Sequence, residues 1–468
     1  MSATVTGLSV RLTAHPLQRV GAFALSSLVH EGPVSTRKLV HPLELTDQDL
    51  RAANSHMTAD LALTTELASS KEPNGFWLGA SYLFWPNCPI NTTNRKSLLG
   101  RPLLDRLHQW RDLPNEDPGV NARCVLCDYP ACGFYGKVDV PLLESTAYRN
   151  TTVPGHEGMA LCRGCLLSFY ALPYGCAIGG GRATVFHSWD DHLLRAITAF
   201  QVKVTRKQAF TGSPSGQRPF YERQLMSLTR LRGYEETLTD GVELLVFTNS
   251  NKEQDLSTHF LEQPNAEWIR DLPPHQMAPL GRAHRKDKVP GRSMLARNLF
   301  DEPERIIPTV SSYLYEHVLG HGKISTHTPA LVVACSSYAT KVLQVSDAAL
   351  GQIHHLAVRI THALNTEDDK ELKNFLNAAR KMTRLRSWLR RKSIHRTLHT
   401  QEPDPLITEE QWRLLFDDDN RVFLHRDLLL IGVLNHLHEL DPAWRGRIPE
   451  DSSDEDDISY EDLDAETA

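Results

Sequence analysis

Two Cys-x-x-Cys pairs, Cys124 with Cys127 and Cys162 with Cys165, constrain this chain more than any other feature, because the 34 residues between them must loop out and return. Each pair turns two thiolates toward one point, and a tetrahedral Zn²⁺ takes two such pairs. In a reducing compartment, clustered thiols of this kind are metal ligands more often than disulfides. Four thiolates leave no open coordination position, so the expected cofactor is a structural Zn²⁺ rather than a catalytic one. Cys132, Cys176 and His156 are alternatives for one ligand. Cys88 and Cys335 stand alone and read as buried core thiols. A thioredoxin-like redox role fits one such pair but not two.

The expected fold class is α+β: a mixed N-terminal region with an inserted four-cysteine zinc module, followed by a C-terminal helical bundle. Leu8 to Leu12 reads as a strand. After His15-Pro16, the apolar positions Val20, Phe23, Ala24 and Leu28 recur at helical spacing. Thr46-Asp47-Gln48-Asp49 carries a helix start, with Thr46 as cap. Gly75 to Trp85 is a buried strand or short helix, ended by the loop Pro86 to Asn94. The zinc module is placed at 120–182, within an α+β region spanning 1–119 and 183–290. That region continues with a helix at about 189 to 200, a strand-like stretch ending in the loop 211–217, a helix at about 220 to 232 and the strand Val242 to Thr248. Residues 263–293, rich in Pro, Gly and charge, mark the main domain boundary. From there to 449 the strong patterns are helical, with capping boxes expected at Thr366/Asp369 and Thr408/Gln411.

The net charge of -6 conceals an asymmetry. Residues 450–468 hold ten Asp and Glu and no Lys or Arg, which leaves +4 for 1–449. The tail reads either as a brake on indiscriminate nucleic-acid binding or as a disordered solubility element. Between Lys370 and Arg396 the only acid is Glu371. On one continuous helix at 100° per residue, Lys373, Arg380, Arg384 and Arg391 share a face opposite Phe375, Ala378, Met382, Leu385 and Leu389, a pattern expected to bind phosphate backbone. No enzyme constellation emerges. His317 and His321 lack the acid of a metalloprotease motif, and His425-Arg426-Asp427-Leu428 lacks the Asn of a kinase loop. Gly179-Gly180-Gly181-Arg182 lacks the Lys-Ser/Thr of a P-loop and reads as a Gly turn. No apolar run long enough to span a membrane and no secretory signal is found, so a cytoplasmic location is expected.

Taken together, the His15-Pro16 to Gly21 helix entry, the Leu43 to Leu50 helix start, the Phe84-Trp85-Pro86-Asn87-Cys88-Pro89-Ile90-Asn91 loop and the cysteine module resemble the large subunit of the type I-B CRISPR Cascade surveillance complex. The resemblance covers roughly residues 10–200. It implies a prokaryotic, non-enzymatic subunit that reads the protospacer-adjacent motif and stabilises the R-loop while guide pairing reads sequence. Its implied partners are crRNA, target double-stranded DNA, the Cascade backbone and crRNA-end-binding subunits, and a helicase-nuclease or transposition machinery. Asn87, Asn91, Asn94, Lys96 and Arg182 are candidate DNA contacts in the N-terminal region, by the chemistry of base-edge and phosphate recognition. Cys88, where a small polar residue is expected after Pro-Asn, and the acidic tail depart from the family pattern. A stand-alone zinc-containing DNA-binding regulator is the alternative.

Overall fold

The computed structural model describes residues 10–29, 41–113, 120–143, 158–211, 221–250, 254–365, 370–399, 405–417 and 421–440. The expected acidic tail, the Thr366/Asp369 cap, the loop 212–217 and His156 lie outside them. The chain divides into one unit of residues 1–271 and 296–301, and a second of residues 272–295 and 302–468. Among the described residues no helix is long and apolar enough to cross a membrane.

The first unit is mixed α and β. Its helices are α1 (Pro16–Val29), α2 (Asp47–Ala62), α3 (Phe76–Phe84), α4 (Thr92–Arg95) and α5 (Arg101–Arg111), then a two-stranded sheet of β1 (Gly133–Tyr135) and β2 (Met159–Leu161), and α6 (Arg163–Ala171). The strands β3 (Cys176–Gly179) and β4 (Arg182–His187) follow, then α7 (Asp191–Thr211), α8 (Tyr221–Arg232), β5 (Val242–Asn249), β6 (Gln254–Leu261) and α9 (Gln263–Asp271). The four larger strands form one antiparallel sheet in the order β3-β4-β5-β6. Gly180 and Gly181, both at positive φ, close the two-residue turn between β3 and β4, where Gly179 faces Arg182. Glycine takes that backbone shape without steric cost.

Helix α1 is buried nearly all round, from Leu17 through Ser26 and again at Leu28, and it packs on α6 and α7. A helix with no solvated face is a core element. The crossing with α6 is tight enough that a Cβ on Gly21 would stand 2.0 Å from the carbonyl oxygen of Ser168. Helix α2 begins on the expected capping box: Thr46 Oγ1 accepts from the Asp49 N–H at 3.2 Å, and Asp49 accepts from the Thr46 N–H at 2.8 Å. One core feature has no sequence signature. Arg111 is 2 % exposed, and its guanidinium lies 4.3, 3.9 and 3.6 Å from the ring centroids of Trp85, Trp110 and Tyr170. Asp139 accepts from Trp110 at 2.9 Å and from Tyr170 at 3.0 Å, which sets a carboxylate behind the rings that hold the cation.

The described residues of the second unit are helical: α10 (Pro274–Ala283), the start of α11 (Gly291–Asp301), α12 (Ile306–His321), α13 (Thr328–Lys341), α14 (Asp347–Asn365), α15 (Lys370–Ala379), α16 (Met382–His399), α17 (Glu409–Phe416) and α18 (Val422–Leu440). The capping box at Thr408 and Gln411 opens α17.

Three expectations need correction, and one boundary is kept. Residues 10–12 form no strand; the Val10 N–H makes a single bond to the Pro42 carbonyl at 3.3 Å, with no ladder to extend it. The stretch read as strand-like after residue 200 continues α7, because Gln201, Val202 and Thr205 recur at helical spacing on its buried face. Gln201 Nε2 and Thr205 Oγ1 donate to the Cys176 carbonyl at 3.0 and 3.2 Å. The division between the units at 271/272 falls inside the expected boundary segment 263–293, which is itself built largely of α9, α10 and α11. Its prolines sit mostly at helix starts, where a missing N–H costs nothing. Finally, 370–396 is two helices, as described below.

Gly21→Ala should lower the melting temperature of the first unit strongly, at a cost of about 3 kcal/mol or more, since backbone must move. Gly351→Ala in α14, where a Cβ meets nothing within 4 Å, should instead gain about 1 kcal/mol. Calorimetric melting of the two variants checks both signs.

Candidate metal centre and basic hairpin

The first cysteine pair sits in a turn closed twice by backbone. Cys124 N–H donates to the Tyr129 carbonyl at 2.7 Å and Asp128 N–H to the Cys124 carbonyl at 2.9 Å, with Asp128 at φ +62°. The second pair opens α6: Cys162 is its N-cap, and its sulfur accepts from the Cys165 N–H at 3.5 Å. Strand β2 joins the two. Val125 N–H donates to Ala160 at 3.0 Å, and Cys132 N–H donates to Leu161 at 2.8 Å.

These bonds bring the sulfurs of Cys124, Cys127, Cys162 and Cys165 within 4.8 Å of one another, positioned to hold a metal ion. Cys127 and Cys162 are 3.4 Å apart, far outside a bond of about 2.05 Å between sulfurs. A tetrahedron of metal–sulfur bonds of about 2.3 Å has edges of about 3.8 Å, inside the observed range. Hydrogen bonds from Cys127, Cys162 and Cys165 pull the Cys124 thiol well below its ordinary value, while those from Cys124 and its neighbours push Cys162 and Cys165 up. Four thiolates at this spacing require a cation among them, because like charges cannot ionise together unaided. Cys132 lies instead against the Tyr135 hydroxyl at 3.3 Å, and Cys176 donates to the Leu172 carbonyl at 3.1 Å. Neither belongs to the cluster, so both alternatives are set aside. Cys88 and Cys335 are buried, and burial pushes the Cys88 thiol up to about 12.

Two cations at this centre were not anticipated. Arg11 donates to the Cys127 carbonyl at 3.4 Å and lies 4.1 Å from the Tyr129 ring centroid. Arg163, one residue into α6 and 3 % exposed, bonds Asp47 in the first turn of α2 at 2.8 Å. No residue spacing links Arg11 or Arg163 to these partners, which are 116 positions away.

The candidate contacts of the N-terminal loop have different fates. Asn91 is buried, accepting from Ser81 at 2.5 Å and donating to the Trp85 carbonyl at 3.2 Å. Both ends of its amide close the loop, which corrects its assignment as a DNA contact. Asn94 is exposed and bonds the carbonyl of Asn87, which holds φ +68°. Lys96 is exposed at φ +54°. Arg182, beside the Gly turn, lies 3.8 Å from Asp255.

In the second unit the chain breaks at Arg380 and Lys381 and turns back, so α15 and α16 form a helical hairpin rather than one rod. Phe375 and Trp388 pack across it at 5.1 Å between ring centroids, and Lys392 bonds Glu371 at 2.9 Å. The expected four-residue stripe is therefore divided. Lys373 belongs to α15, Arg380 in the turn lies 4.6 Å from the Tyr315 ring, and Arg384 and Arg391 share α16. Phe375, Ala378, Leu385 and Leu389 are buried as expected, and Met382 is half-buried. Arg386 and Arg390, spaced i, i+4, form a second group over Trp412 at 5.4 and 5.3 Å. His317 and His321 lie 4.6 Å apart between ring centroids, and the half-buried Asp427 accepts from the Ser311 hydroxyl at 2.8 Å.

Cys162→Ser removes a thiolate ligand but leaves a hydroxyl able to cap α6, so it should abolish metal retention and expose the 120–182 segment to proteolysis through the lost ligand alone. Cys132→Ser should leave about one metal ion per chain. Metal analysis of the purified variants separates the two roles.

No protein-family model, curated protein or solved structure was found to match this chain.

Proposed function

We propose that this chain is the non-catalytic large subunit of a crRNA-guided type I-B CRISPR effector complex, recognising the protospacer-adjacent motif in target DNA and stabilising the R-loop. The observation that carries the reading is the convergence of both cysteine pairs on one point in a chain whose helix entries and Trp-Pro-Asn loop also resemble the family's in order, Cys88 excepted. We assign Zn²⁺ to the four-sulfur site, where it would be structural: the thiolates fill a tetrahedron and the ion ties the loop to α6.

The charge pattern supports a division of labour. In the first unit, Asn87, Asn94, Lys96 and Arg182 remain as contacts to the duplex beside the adjacent motif. The helices of the second unit form a bundle whose basic hairpin, with Arg384 and Arg391, tracks the displaced strand. Ten Lys and Arg against one Glu in 370–399 is the composition a phosphate backbone selects. Base pairing with the guide carries the sequence specificity, so the protein needs shape and backbone contacts more than base readers.

Expressed with its neighbouring gene products, the tagged chain should co-purify with a guide RNA of defined length and protect target DNA next to one short motif. A chain that instead binds a duplex sequence tightly without RNA would be a stand-alone zinc-containing regulator, and the complex would be the wrong reading. In the assembled complex, replacing Arg384 and Arg391 by Ala should lower the slope of log affinity against log salt by about 1.4, at about 0.7 per single-strand phosphate.

A further inference from the structure

We infer that His354 on α14 and His436 on α18 form an exchangeable site for a divalent transition-metal ion, with Glu439 orienting the second ring. His354 Nδ1 and His436 Nε2 face each other at 3.3 Å, with the rings 4.7 Å apart between centroids and inclined at 68°. That separation is just past the common range for an N–H hydrogen bond, about 2.7 to 3.2 Å. It matches the edge of a coordination tetrahedron, since metal–imidazole bonds of about 2.0 to 2.1 Å set two nitrogens about 3.3 to 3.4 Å apart. The two histidines are 82 positions apart in the chain and meet because α14 and α18 pack along each other.

A carboxylate behind His436 distinguishes the pair from two rings that happen to touch. His436 Nδ1 lies 2.8 Å from Glu439 Oε2, and the other oxygen, Glu439 Oε1, accepts from Asn435 Nδ2 at 2.7 Å. An ionised carboxylate only accepts, so Nδ1 of His436 carries the proton, and Nε2 of the neutral ring presents a lone pair toward His354. A carboxylate on the far nitrogen of a ligating imidazole fixes its tautomer and orientation and makes the ligand nitrogen more basic. Asn435, His436 and Glu439 all belong to α18, so one helix prepares this half of the site. Glu439 is also close enough to act electrostatically on His354, which sets a negative charge beside the cation. The His436 side chain is 14 % exposed, and His354 and Glu439 are exposed, so an ion reaches the two nitrogens from solvent.

In the metal-free protein one hydrogen lies between the facing nitrogens. On binding, the ion takes its place, the proton moves from Nδ1 to Nε2 of His354, and both rings stay neutral, as imidazole ligands must. Two protein ligands leave the remaining positions to water, so this ion exchanges with solvent, unlike one enclosed by four sulfurs. Imidazole nitrogen selects Zn²⁺, Ni²⁺ or Cu²⁺ over Mg²⁺ and Ca²⁺. The other close histidine pair lacks the carboxylate. His317 and His321 are 4.6 Å apart between centroids, but among the described residues Nε2 of His317 has no hydrogen-bond partner, and the charges acting on it come from His321, Lys323 and His327. An ion at His354 and His436 ties α14 to α18, the helix on which α12, α13, α15 and α17 also pack.

The site is independent of the proposed function, and its test uses the untagged full-length chain, purified in zinc and freed of exchangeable metal by gel filtration. Ni²⁺ is titrated by calorimetry, and thermal melting is followed in parallel. One Ni²⁺ should bind per chain and raise the melting temperature, because only the folded state sets the two rings together. His354→Ala and His436→Ala should each abolish that binding. Glu439→Gln keeps both ligands and should weaken it about ten- to a hundredfold. His317→Ala with His321→Ala should leave it unchanged. His354 is exposed, so its variant carries the test if His436→Ala does not fold. A chain that takes up no Ni²⁺, or uptake that survives His354→Ala, overturns the site. Uptake lost with His317 and His321 instead would move the ion to the other pair and overturn it equally, and undiminished affinity in Glu439→Gln would remove the orienting role of the carboxylate.

Discussion

The four sulfurs meet where two parts of the first unit are set side by side by the backbone bonds of Val125 to Ala160 and Cys132 to Leu161. The turn at 124–129 is closed by its own backbone bonds, and Cys162 and Cys165 place the N-terminus of α6 against it. Helix α6 lies against α1, and the crossing at Gly21 leaves no room for adjustment. Helix α1 in turn packs on α7, whose Gln201 and Thr205 hold the first strand of the larger sheet through the Cys176 carbonyl. An ion held at the sulfur cluster would therefore act on the elements packed in turn against α6, because each neighbour is positioned by the one before it.

What could be read from the residues follows the range over which each signal acts. The capping boxes at Thr46 and Thr408 are local, four residues long, and both form. The two cysteine pairs carry their own geometry, since metal chemistry demands convergence whatever fold delivers it. The β-branched Val202, Val204 and Thr205 suggested a strand by propensity, but packing of the Gln201, Val202 and Thr205 face decided for helix. The cage around Arg111 draws Trp85, Trp110 and Tyr170 from three separate elements, and no spacing announces it.

The basic hairpin shows how a projection fails. A single helical wheel through 370–396 puts Lys373 and Arg391 side by side, and it gets the buried positions largely right because each half obeys the same period. Nothing in Ala379-Arg380-Lys381-Met382 is a breaker, and all four are adequate helix formers. The turn arises from tertiary gain: Phe375 and Trp388 pack against each other, their rings tilted by 60°, only if the chain reverses. Propensity is worth a few tenths of a kcal/mol per residue, whereas burying an aromatic pair is worth roughly 2 to 3 kcal/mol per ring.

Arginine itself appears here in two opposite states, and the difference lies in what neutralises it. Arg163 is buried because Asp47 reaches it, and Arg111 because three rings and the nearby Asp139 do. Taking a guanidinium out of water costs several kcal/mol, so such positions exist only where the partner is already fixed. Arg384 and Arg391 are exposed, and Glu371, the one acid of the hairpin, bonds Lys392 and lies within electrostatic reach of Arg391. An exposed guanidinium is solvated by water and needs no fixed partner, so burial is what separates the two states: the buried arginines depend on Asp47, the rings and Asp139, and those of the hairpin do not.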